Sequence, residues 1–99
     1  MDKRVIEIAK QYVNQLPKKY KLKGAYVFGS HIKGTATKHS DIDLALVLNT
    51  NKNLFDLTVE LMNLRNDNFL EIEPHPFHAK DFYKSSWADE IIGKGIQIL

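Results

Sequence analysis

Asp41 and Asp43 stand one residue apart, ten residues after the pair Gly29-Ser30. Successive side chains of a β-strand alternate faces, so carboxylates at i and i+2 point into the same space. Two like charges held that close repel unless a cation lies between them. Oxygen ligands of this kind suit hard divalent ions such as Mg²⁺. The apolar run Ile42, Leu44, Ala45, Leu46, Val47 and Leu48 reads as a largely buried strand. An aspartate at position 43 inside that run is costly to bury unless it is paired or bound to metal. Gly29 lacks a side chain, so a phosphate can approach its backbone, and Ser30 with the neighbouring amides can donate to phosphate oxygens.

The elements that position these groups follow from periodicity. Val5, Ile8, Ala9, Tyr12, Val13 and Leu16 keep helical spacing, with Asp2 as cap and Pro17 as stop. Ala25 to Phe28 read as a short buried strand that ends at Gly29. Residues 31–40 read as a turn of helix and then a loop, and a second strand is expected over 41–48. Leu54, Leu57, Thr58, Leu61, Met62 and Arg65 give a second helix after the polar cluster 49–53. Phe69 to Glu73 alternate and predict a third strand, which Pro74 and Pro76 then stop. A last helix runs to Gly93, and residues 95–99 can add an edge strand. Tyr12, Phe82, Trp87 and Ile91 are assigned to the core.

The third strand supplies two more carboxylates, Glu71 and Glu73, on one face. A carboxylate beside the two aspartates would add a further oxygen ligand or a general base. Glu73 is preferred over Glu71 because it sits at the strand end beside Pro74. His39, His75 and His78 have the right type for zinc, but they fall in loop-like, proline-broken sequence and are read as surface residues.

The 99 residues suit one domain over 1–99, with no room for a separate substrate lobe. No apolar run approaches a membrane span and no secretory pattern is visible, so no membrane partner is expected. The lack of cysteine fits a reducing compartment, taken as the cytoplasm. Residues 1–40 carry nine of the 14 Lys and Arg but two of the 12 Asp and Glu, which leaves residues 41–99 at a net charge of −5. A basic half facing an acidic half suits a polyphosphate held against metal ions. Lys18, Lys19, Lys21 and Lys23 read as a solvated face, and no nucleic-acid partner is expected.

Gly29-Ser30, Asp41-x-Asp43 and the acids of the next strand together resemble the nucleotidyltransferase core shared with DNA polymerase beta. More narrowly, the chain resembles the minimal nucleotidyltransferases across essentially its whole length. That resemblance implies an α+β fold with a small mixed sheet packed by helices. It implies two Mg²⁺ ions on Asp41, Asp43 and Glu73, and ATP as donor, with its phosphates at Gly29, Ser30 and Lys33. It implies transfer of a nucleoside monophosphate, AMP from ATP, to an acceptor hydroxyl. Many minimal members have arginine just after the motif, where this chain has His31, with Lys33 two residues on. Lys33 would meet a triphosphate as a point charge rather than as a bidentate fork.

The resemblance also implies a helical partner of the HEPN class, with this chain as the antitoxin that adenylylates it. A hetero-oligomer or a homodimer is compatible with that. The alternative is a non-catalytic antitoxin that keeps the nucleotidyltransferase fold and binds or scaffolds its partner by contact.

Overall fold

The structure, a computed structural model, describes residues 2–37 and 39–99. Helix α1 (Lys3–Asn14) starts where the Asp2 carboxylate accepts the Arg4 N–H at 2.9 Å, the cap its sequence announces. It buries Val5, Ala9, Tyr12 and Val13 along one stripe. A 3₁₀ turn at Lys18–Tyr20 leads into β1 (Leu22–Phe28), which is followed by the short α2 (Ser30–Lys33) and by β2 (Ile42–Leu48). Asn53 caps α3 (Leu54–Asn63) by accepting the Phe55 and Asp56 amides at 2.7 and 3.2 Å. Then come β3 (Ile72–His78), α4 (Ala79–Phe82), α5 (Ser86–Lys94) and the two-residue β4 (Ile96–Gln97).

The four strands form one mixed sheet in the order β3-β2-β1-β4. β2 runs antiparallel to β1 and parallel to β3, with α3 in the crossover, and β4 is antiparallel to β1. Helices cover both faces, so the fold is α+β as expected. Ile42, Leu44, Leu46 and Leu48 face α1 and α3, where Val5, Ala9, Tyr12, Leu57 and Leu61 complete the larger core. Ala45 and Val47 face the other way with Tyr26, against Phe82, Ala88 and Ile91 of α4 and α5. Every residue of β2 except Asp43 is buried. The Tyr12 hydroxyl donates to the Leu61 carbonyl at 2.6 Å and so ties α1 to α3.

The third strand differs from its sequence reading. Phe69 belongs to a 3₁₀ turn (Asp67–Phe69) and packs edge-on against Tyr12 at 5.6 Å, while β3 extends through both prolines to His78. The reason is its place at the sheet edge. The Glu71 carbonyl accepts the Ile42 N–H at 2.7 Å, which sets the odd-numbered residues of β3 as those bonded to β2. Pro74 and Pro76 therefore turn their missing N–H groups to the free edge, where proline costs no ladder bond. Arg65 covers that edge by donating to the carbonyls of Ile72 and Leu70 at 3.0 and 3.3 Å.

A second correction concerns Trp87, which is 58% exposed rather than core, whereas Tyr12, Phe82 and Ile91 are buried as expected. Among the described residues no helix is long and apolar enough to cross a membrane.

Candidate active site

The parallel register sets Glu73 of β3 opposite Asp43 of β2, and the antiparallel register sets Phe28 of β1 on the other side of Asp43. Alternation then brings His75 to the same face two residues on. Asp43, Glu73 and His75 form a compact cluster in which one ligand atom from each lies within 4.8 Å of the others. His75 Nε2 is 3.1 Å from Asp43 Oδ1 and 3.7 Å from Glu73 Oε1. The Phe28 ring meets the imidazole edge-on at 5.2 Å and fixes its tilt.

Asp41 lies one residue before β2, is exposed, and falls outside that compact cluster. Its charge still reaches Glu73. The Glu73 carboxyl is held above the ordinary carboxylate range, first by partial burial; His75 opposes this, and the charges of Asp43 and Asp41 add to it. Three carboxyl groups gathered at this point make it favourable for a cation.

Glu71 takes no part in the cluster. It precedes β3 in a turn and pairs with Arg4 of α1 at 3.4 Å. The sequence reading of Glu71 and Glu73 on one strand face is thus replaced by one acid in the cluster and one on the helix surface.

Gly29 ends β1 with φ +83°, a left-handed backbone that favours glycine. A Cβ there would collide with the Asp43 carboxylate, its Cγ lying only 3.0 Å away. Absence of a side chain at 29 is therefore what lets β1 turn directly over Asp43. Ser30 opens α2, and the Gly29 carbonyl accepts the amides of Ile32 and Lys33 at 3.0 Å each. Lys33 is exposed on a groove that also contains Gly29, Ile32, Trp87, Ile91 and Lys94. His31 turns away from this groove, its Nε2 3.4 Å from the Ser40 carbonyl in the loop before β2.

Asp41 and Glu73, though not Asp43, line a neighbouring cleft of about 600 Å³ together with Phe28, His75, Phe77 and Trp87. That size falls within the range of small-molecule sites. His75 is the member that sequence reasoning missed. The signal available was its i+2 spacing from Glu73, which becomes meaningful only once the strand is carried through Pro74. His78, by contrast, bonds the Lys52 carbonyl at 2.6 Å and lies 3.8 Å from Asp81, away from the cluster.

The donor set fits a divalent cation chemically. Carboxylate oxygens suit Mg²⁺ and Mn²⁺, and an imidazole nitrogen adds affinity for transition metals over Mg²⁺.

The family model described as "Polymerase beta, Nucleotidyltransferase" matches residues 9–99. Two solved structures resemble the fold. One is a candidate nucleotidyltransferase from Sulfolobus solfataricus, with a TM-score of 0.67 and 20% sequence identity over 95% of this chain and 78% of that one. The other is a toxin–antitoxin structure with AMP-PNP, with a TM-score of 0.54 and 20% identity over 100% of this chain and 73% of that one. At such identity the likeness is one of fold. No curated protein sequence matches the chain.

Proposed function

Because the chain belongs to the polymerase beta nucleotidyltransferase family, we propose that it transfers AMP from ATP to an acceptor hydroxyl, using Asp41, Asp43 and Glu73 as its metal-holding carboxylates. The observation that carries this reading is the opposition of Asp43 and Glu73 on adjacent strands, directly beneath the side-chain-free turn at Gly29. Asp41, at the mouth of the same cleft, would complete the set as a triphosphate and its metal enter.

Bound Mg²⁺ would supply charge neutralisation at the attacking and leaving oxygens of an in-line displacement. The chain's own groups do the rest. Gly29 and Ser30 would bond phosphate oxygens, and the Lys33 ammonium would offer a point charge to the polyphosphate end. The acceptor oxygen attacks the α-phosphorus, the bond to the bridging oxygen breaks, and pyrophosphate leaves. Glu73, a carboxylate made more basic first by partial burial and then by the neighbouring aspartates, is suited to take the proton of the acceptor hydroxyl. His75, bonded to Asp43, orients that carboxylate until metal enters.

Within the family we place the chain among the minimal nucleotidyltransferases, a single domain over residues 1–99 acting in the cytoplasm. The acceptor is a hydroxyl of a helical partner of the HEPN class, with this chain as antitoxin. The toxin–antitoxin structure with AMP-PNP, similar in fold, supports that reading. The competing reading, a non-catalytic antitoxin that binds by contact, draws on the position of Asp41 outside the compact cluster.

The test is the intact mass of a co-expressed helical protein of the HEPN class, after incubation with this chain, ATP and Mg²⁺. A gain of one AMP unit that disappears with Asp43→Asn supports transfer through the acidic cluster. Full neutralisation of the partner by Asp43→Asn, with no mass gain from the unaltered chain, supports the contact-only antitoxin.

A further inference from the structure

Trp87 is the chain's one tryptophan, and more than half of its surface is exposed on the second residue of α5. An indole is expensive to leave in water, since large aromatics normally bury most of their area. Its position is specific. Trp87 lines the groove that holds Gly29 and Lys33, and it also lines the cleft that holds Asp41, Glu73 and His75. The exposed aromatics Phe55 and Tyr83 line neither. Phe77 of β3 braces the indole at 6.5 Å with the rings tilted by 49°, so one side is supported while the rest stays open.

The proposal rests on the nucleotide reading above and extends it to the part of the donor that reading leaves without a partner. In that reading Gly29, Ser30 and Lys33 take the phosphates and the carboxylates serve the reacting phosphorus. The nucleobase has no assigned contact. We propose that Trp87 is the stacking platform for the base of the nucleoside triphosphate, at the junction of the phosphate groove and the acidic cleft. Lys94 of the same helix lines that groove together with Lys33 and with Glu90, its ion-pair partner at 3.8 Å. It therefore adds a second ammonium for the polyphosphate. Helix α5 thus contributes a flat apolar surface near its start and a cation at its end. Stacking on an indole tolerates different bases, since every base offers a π-face. The site is accordingly selective for nucleotides over bare polyphosphate more than for one base over another.

The sole tryptophan makes the test direct. Titrate the intact chain with ATP and, separately, with inorganic tripolyphosphate, in Ca²⁺ to suppress turnover, and follow both indole fluorescence and calorimetric affinity. The expected result is quenching by ATP but not by tripolyphosphate. Trp87→Ala should weaken ATP by about tenfold and leave tripolyphosphate unchanged. Trp87→Phe should restore most of the loss, and Lys94→Ala should weaken both ligands. If ATP binds but Trp87→Ala binds it like the unaltered chain, or loses ATP and tripolyphosphate equally, the base platform is wrong while the nucleotide site stands. If neither ligand binds the unaltered chain, the nucleotide reading itself fails, and the platform with it.

Discussion

His75 Nε2 stands 3.1 Å from Asp43 Oδ1, a contact between two strands that places an imidazole inside a carboxylate cluster. The pairing has two consequences. It orients the one aspartate embedded in the central strand, and it holds an imidazole nitrogen where an entering metal ion would take it in place of the Asp43 contact.

The first expectation concerns metal. Divalent ions should stabilise the fold by mass action, worth about 2.7 kcal/mol at a hundredfold excess over the dissociation constant. In a chain of this size that is a rise of roughly ten degrees or more in Tm. His75→Ala should weaken Mn²⁺ by about tenfold and affect Mg²⁺ less, because imidazole favours transition metals. Thermal scans with each ion, and a chelator as reversal, check this. Equal loss for both ions would remove His75 from the ligand set.

Gly29→Ala combines a disfavoured positive φ with a collision against Asp43. The strain should cost about 1–3 kcal/mol and displace the carboxylate. Denaturant unfolding is expected to show a lower midpoint, and metal affinity should fall with it. An unchanged midpoint would mean the turn can open without cost.

Stability should depend on pH through Glu60 of α3. The Lys52 ammonium, 2.7 Å away, and the Tyr20 hydroxyl, at 2.9 Å, hold the Glu60 carboxyl below the ordinary carboxylate range. A depressed folded-state pKa contributes stability that is present above the unfolded value and lost as pH falls through the folded one. Acidification below the usual carboxylate range should therefore lower Tm, and Glu60→Gln should flatten that limb of the profile. Tyr20 has the opposite sign. Burial and Glu60 push its hydroxyl up to about 12, so its contribution is intact at neutral pH and lost only as strongly alkaline pH ionises it. Parallel acid limbs in both proteins would exclude Glu60 as the source.

Elements whose signals are local were legible in the chain before any fold was known. The stripe of α1 and its Asp2 cap, the stop at Gly29, the Asp41-x-Asp43 spacing and the apolar run of β2 each depend on neighbours a few residues away. Periodicity and spacing therefore suffice to read them. They also sufficed for the family resemblance.

The remaining features depend on which strand lies beside which. Pro74 and Pro76 forbid a central strand but not an edge strand, and edge status is a property of the whole sheet. Once β3 runs through them, His75 enters the cluster, Glu73 faces Asp43, and Glu71 is left to Arg4. Trp87 follows the same logic. Helical spacing marks it as apolar, but its neighbours come from α2, β1 and β3, and they leave its ring at the rim of a groove instead of beneath a layer. Register and packing between distant segments are cooperative outcomes of burial, so no local window in the chain carries them.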